Sequence, residues 1–199
     1  MNLAQYTSAA VKMRPGDVIA CQGTALISKA IETVTKSPIT HVMMVRQPAV
    51  KGVDVVVAQS TMGDGDPNGA QSDPLLHVLS EEYAKGRAWL LPLAESVRAK
   101  IDWQKLYAAI GDCETKIKYD ILGLVLYALH MRAKPDNRHL FCDAYLIYLL
   151  QQCGGLPSPA QGGMDPREAS PQIFIDLPLF IGCQQIWGSP ATIQFGKVG

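Results

Sequence analysis

A cysteine, Cys142, stands near the front of the run NRHLFCDAYLIYLLQQCGG, which is otherwise mostly apolar. Residues 145–150 carry apolar or aromatic side chains throughout, so a helix built on them has no face suited to water and belongs inside a domain. Gly154 and Gly155 end that helix. Pro135, Asp136 and Asn137 cannot belong to it, which puts Cys142 in or near its first turn. There the thiol meets unpaired N–H groups and the positive end of the helix dipole, both of which favour thiolate. Two readings stay open for the residue: an activated nucleophile, or a small hydrophobe filling a core position. A nucleophile needs a base, and the chain has four histidines. His77 and His130 lie in apolar helical surroundings, and His139 falls three residues before the cysteine with no fixed direction. His41, in SPITHVMMV, enters a strand whose neighbours are apolar on both sides. A polar ring there must be paired or functional, and a hydrogen-bonded structural histidine is the alternative.

Other chemistries fit less well. Asp64, Asp66, Asn68 and Gly69 match the first half of a calcium loop, but Leu75 stands where a bidentate glutamate should close the shell, and a strand precedes the loop. An Asp/Asn/Gly turn cluster explains these residues better. No Gly-rich turn followed by lysine offers a phosphate cradle. Five scattered cysteines, an odd number without a C-x-x-C pair, make neither a disulfide framework nor a zinc site and suit a reducing compartment. The reading calls for no metal and no cofactor.

The elements that must position Cys142 and His41 follow from periodicity. With 199 residues, 48% of them hydrophobic, the chain can bury a substantial core as one domain, 1–199. Lys+Arg and Asp+Glu balance at 18 each, so no basic field points to nucleic acid or to an anionic membrane. The N-terminus reads as a short amphipathic helix rather than a secretory leader. Residues 121–129, ILGLVLYAL, fall short of the roughly 20 needed to cross a bilayer, so no transmembrane segment is expected and the location is expected to be cytoplasmic. RPGDVIACQG predicts a turn and a strand, ALISKAIETVTKS a helix ended by Pro38, and HVMMV and VDVVVAQS neighbouring antiparallel strands. A polar loop over 61–74, a short helix, the strand RAWLLPL and helix over about 95–129 follow, and after the cysteine helix a Pro/Gly-rich connector leads to a short β tail, QIFIDLPLF and CQQIW. Strands first and helices later make an α+β pattern, not a doubly wound one.

In this order the motifs resemble the circularly permuted branch of the NlpC-type, papain-like cysteine hydrolases, peptidases and amidases in which the histidine strand precedes the cysteine helix. RPGDVIACQG resembles the opening PGD strand, and SPITHVMMV the Ser-His-Val strand with Thr40 for the serine. VDVVVAQS resembles the strand that follows, and KYDILGL with LFCDAYLIYLL the Tyr-Asp element and the cysteine helix. The resemblance implies a papain-like fold, with a small antiparallel sheet or partial barrel packed on a central cysteine-bearing helix. It implies Cys142 as nucleophile, His41 as base, and Gln59, at the end of its strand, as the residue orienting the imidazole. Tyr119 and the Cys142 amide would contact the substrate oxyanion. Gln59 departs from a frequent glutamate, and Asp143-Ala144 from a frequent Ser-Glu; Asp143 puts a negative charge beside the thiol. The expected activity is thiol-dependent hydrolysis or acyl transfer on a peptide, a peptidoglycan stem peptide or an acyl lipid, with 61–74 and 154–171 as cleft walls. A catalytically silent papain-like binding or assembly module, and a lipid-surface protein using 121–129, are the rival readings.

Overall fold

The computed structural model describes residues 3–61, 69–117 and 141–191. β1 (Val18–Gln22) is an apolar run entered through a turn in which Gly16 has φ 87°. A Cβ on Gly16 would also press on Leu93 Cδ2 at 3.1 Å. Asp17, 2% exposed, accepts from the backbone N–H of Arg14 and of Leu93 and from the Arg98 guanidinium at 2.6 Å. One buried carboxylate thus ties the start of β1 to the end of β5 (Arg87–Leu91) and to the short α4 (Glu95–Arg98). This is the physical use of the Pro-Gly-Asp run: a tight turn followed by a buried, fully partnered anion.

α1 (Leu3–Ala10) precedes β1, and α2 (Leu26–Thr35) follows it, ending at Lys36 in the left-handed conformation, φ 52°. β2 (His41–Gln47) and β3 (Val56–Thr61) come next, then β4 (Gly69–Pro74), α3 (Leu75–Glu81) and β5. The remaining elements are α5 (Trp103–Lys116), α6 (Cys142–Gln152), α7 (Pro171–Ile175) and β6 (Gln184–Trp187). Six strands form one antiparallel sheet in the order β4, β3, β2, β1, β5, β6. The sheet is open, with β4 and β6 at its edges, so the α+β class holds and its β part is a sheet rather than a partial barrel.

Strand alternation divides the core in two. Val18, Ala20, Val42, Met44 and Ala58 face a cluster with α5, α6 and α7. Ile19, Cys21, Met43, Val45 and Val57 face a second cluster with α1 and α3. α6 packs on β2 and β3 and is buried from Cys142 through Leu150 except at the half-buried Tyr148, as its composition requires. It ends at Gly154, φ 81°. Gln151 then donates to the carbonyl oxygens of Pro157 and Met164 and pins the connector, which makes two 3-10 turns, Pro159–Gln161 and Pro166–Glu168.

Three expectations about elements need correction. Residues 69–74 are not loop but the edge strand β4, held by pairing with β3 from Val56↔Pro74 to Thr61↔Gly69. An edge strand needs no apolar alternation, and its Gln71, Ser72 and Asp73 are only half-buried. QIFIDLPLF is not a strand: Pro171 occupies the first turn of α7, and the Ser170 hydroxyl accepts from the Ile173 N–H, an N-cap. The helix expected from residue 95 is broken between Arg98 and Trp103, where Asp102 caps a new start, and it stops at Lys116 within the described residues.

Candidate functional site

β2 and β3 pair only as far as Met44↔Ala58, whereas β2 stays with β1 to Cys21↔His41 and β3 stays with β4 to Thr61↔Gly69. The sheet therefore parts between β2 and β3 beside His41. The backbone N–H of Val42 is near enough to the Cys142 sulfur to pull its pKa down. The first residue of α6 thus meets the strand at the residue next to His41.

His41 is 6% exposed and its Nε2 shares a 2.8 Å hydrogen bond with Gln59 Oε1 across the parted strands. Alternation sets both side chains on the second face, with Met43 and Val57, and the imidazole stacks on Tyr83 with ring centroids 6.2 Å apart. Gln59 Nε2 donates onward to Asp73 Oδ2 at 2.9 Å, and Gln71 Nε2 donates to the same oxygen at 2.8 Å. Burial pushes the His41 pKa down from 6.5 to about 4, opposed by the bond to Gln59, so the ring is neutral near pH 7. Gln59 is not at a strand end, as the sequence suggests, but within β3 and fully buried, because β4 extends the sheet beyond it.

The thiol differs from expectation. Burial, and then the charge of Asp143, push the Cys142 pKa well above its ordinary value, and the N–H groups of Val42 and Asp143 offset this only in part. The sulfur donates to Asp143 Oδ1 at 3.7 Å. Desolvation of a thiolate outweighs the pull of a helix start when the cysteine is 4% exposed and a carboxylate adjoins it. Asp143 is raised too, from 3.8 to about 6, chiefly by its own burial, and its Oδ2 has no hydrogen-bond partner among the described residues. Among the described residues, no hydrogen bond joins Cys142 to His41; the Val42 amide is the link between them.

Of the other candidates, His77 is exposed on α3. Tyr119, His130 and His139 lie outside the described residues, as do 62–68 of the expected cleft wall and of the Asp/Asn cluster, and 121–129. All five cysteines are free. A cleft of about 650 Å³ lies at the far end of α6, against Lys100, Lys105 and residues 151–157, and is not part of the thiol site. Asp73 is the residue that sequence reasoning missed. Its signal is the spacing of Gln71 and Asp73, which share one face once that stretch is a strand.

No family model and no curated protein matches the chain. Its fold is similar to that of the crystal structure of the metalloprotein yiiX from Escherichia coli O157:H7, at a TM-score of 0.50 and 18% identity, over 72% of this chain and 67% of that one. At such identity the likeness concerns the fold alone. Among the described residues, no helix is long and apolar enough to cross a membrane.

Proposed function

We propose that the chain is a thiol-dependent hydrolase, peptidase or amidase, or an acyltransferase, of the permuted NlpC-type papain-like kind. Cys142 is its nucleophile, His41 its base and Gln59 the partner of that base. The observation that supports this reading is the meeting point in the parted sheet. Cys142, at the start of α6, lies beside Val42, and the adjacent His41 is bound at Nε2 by Gln59, which leaves Nδ1 for a proton. With the thiol raised and the imidazole lowered, the resting pair is neutral, so the proton leaves sulfur as the substrate carbonyl is attacked. In that step a C–S bond forms and the thiol proton passes to His41 through the parting between β2 and β3, since the thiol and the ring belong to opposite faces of the sheet. Collapse breaks the acyl bond of the substrate, and the leaving amine or alkoxide takes the proton from the imidazolium. Water, or a second acyl acceptor, then gives its proton to His41 and attacks the thioester, which frees the Cys142 thiol. The backbone N–H of Cys142, at the helix start, suits the developing oxyanion.

The substrates that suit such a site are a peptide, a peptidoglycan stem peptide or an acyl lipid; an acyl group is common to all three. The neighbouring fold belongs to a protein called a metalloprotein. Among the described residues of this chain, no three His, Cys, Asp or Glu side chains form a metal cluster, so none of them carries that property over.

A second reading, a silent papain-like binding or assembly module, is favoured by the raised thiol and by the absence of a bond between Cys142 and His41 among the described residues. Incubation with a panel of activated acyl esters and amides, followed by intact-mass and peptide mapping, separates the two. The hydrolase reading expects a thioester on Cys142, formed far more slowly in His41→Ala. Acylation spread evenly over the five cysteines, or unchanged in His41→Ala, would leave the silent module.

A further inference from the structure

We propose that Asp73 is a positioning residue that acts on His41 through Gln59 and decides which imidazole nitrogen carries the hydrogen; its catalytic meaning rests on His41 being the base. The two ends of a glutamine amide are nearly equal in size, so Gln59 could offer His41 either its oxygen or its NH2 group. The first accepts a hydrogen from Nε2 and leaves the lone pair on Nδ1. The second would donate to Nε2 and move the hydrogen to Nδ1, where it could accept no proton from a thiol. Nothing in the Gln59–His41 pair alone chooses between them.

Asp73 makes the choice because an ionised carboxylate only accepts. Its Oδ2 takes the Nε2 hydrogens of Gln59 at 2.9 Å and of Gln71 at 2.8 Å. The NH2 end of Gln59 is thereby committed to β4, and Oε1 faces His41 at 2.8 Å. Sheet register makes this possible: Gln59 lies opposite Gln71 and Val57 opposite Asp73, so the carboxylate is the diagonal neighbour of the amide on the same face. Gln59 is fully buried, so a turned amide would set its oxygen against the Asp73 carboxylate oxygen with no water on the amide to repair it. Asp73 itself is half-buried at the sheet edge and, among the described residues, no hydrogen bond joins it to the imidazole or the thiol.

The test is nitrogen NMR on the full chain carrying 15N-histidine, reading long-range proton–nitrogen correlations of His41 at mildly alkaline pH. Wild type should show one tautomer, protonated at Nε2. Asp73→Ala should lose that single pattern and show both tautomers, and Gln59→Glu in the Asp73→Ala background should restore it, since either carboxylate oxygen accepts. Gln71→Ala, which removes the other donor to Asp73, should leave the wild-type pattern. Acylation of Cys142 should fall about ten-fold in Asp73→Ala and recover in the double variant. Should Asp73→Ala not fold, Asp73→Val, which suits a strand and has no acceptor, reads the same quantity. A wild-type hydrogen on Nδ1, or an Asp73 variant that folds and keeps the single Nε2–H tautomer, overturns the proposal. The tautomer is read without any reaction: if it behaves as expected while wild-type Cys142 takes no acyl group, the positioning role stands and the hydrolase reading falls.

Discussion

On the face of the sheet covered by α1 and α3, the buried polar groups form a chain: His41 to Gln59, Gln59 to Asp73, and Asp73 to Gln71 at the half-buried edge strand. On the face covered by α6 they do not. Among the described residues, the buried Asp143 Oδ2 and Tyr145 Oη have no hydrogen-bond partner, and the Cys142 thiol has a carboxylate beside it. A polar chain that ends near water can be satisfied link by link, whereas a polar group in the first turns of a buried central helix has no water to use. The difference assigns the faces different work. One face holds a ring in a chain of hydrogen bonds, and the other holds a buried thiol whose ionisation is costly.

The largest effect expected at the meeting point of the two faces is in Cys142→Ser. Hydroxyl for thiol barely changes volume, so the fold should persist while acyl-adduct formation falls by roughly a thousand-fold or more. An adduct mapped to another cysteine at the wild-type rate would break the assignment. Next comes Leu146→Ala, in the fully buried part of α6, which should cost about 2–5 kcal/mol in a denaturant melt. A cost below about 1 kcal/mol would mean that α6 is not the packed centre of its face.

Titration sharpens the contrast because the two faces carry opposite signs. Asp143, raised from 3.8 to about 6, imposes no penalty below pH 3.8, an increasing one up to about pH 6 and a constant one above. At about 1.4 kcal/mol for each tenfold, Asp143→Asn should stabilise the protein by about 3 kcal/mol above pH 6 and by nothing near pH 3.5. His41, lowered from 6.5 to about 4, imposes its penalty on the acid side, complete below about pH 4 and absent above 6.5. His41→Gln should therefore stabilise in acid and not at neutrality. Melts of both variants from about pH 3.5 to 8 should show gains of opposite slope, and parallel curves would contradict the account. Asp143→Asn should also speed alkylation of Cys142 at neutral pH by removing the adjacent charge. The smallest effect is Tyr83→Leu, which removes the ring stacked on His41 and should cost about 1 kcal/mol while leaving the Gln59 bond in place.

Much of this molecule is written locally. An all-apolar run after a cysteine and before two glycines places α6 and its first residue, since helix burial and helix ends depend on a few adjacent side chains. The β-branched runs around His41 and Gln59 place two adjacent antiparallel strands for the same reason. β4 was not legible, because an edge strand is held by its neighbour's backbone and can be as polar as a loop. Without β4, neither the depth of Gln59 nor the part of Asp73 could be seen. The thiol illustrates the rest. That Cys142 begins a helix, where N–H groups favour thiolate, is a property of the chain near it. That its pKa rises instead is a property of everything packed around it: a desolvated first turn and an Asp143 carboxyl that also has no water. Sequence alone determined which residues stand at the helix start and the strand entrance. Only the tertiary structure decided their charge, because the free energy of an ion depends on the polarity of its whole surroundings and not on its neighbours along the chain.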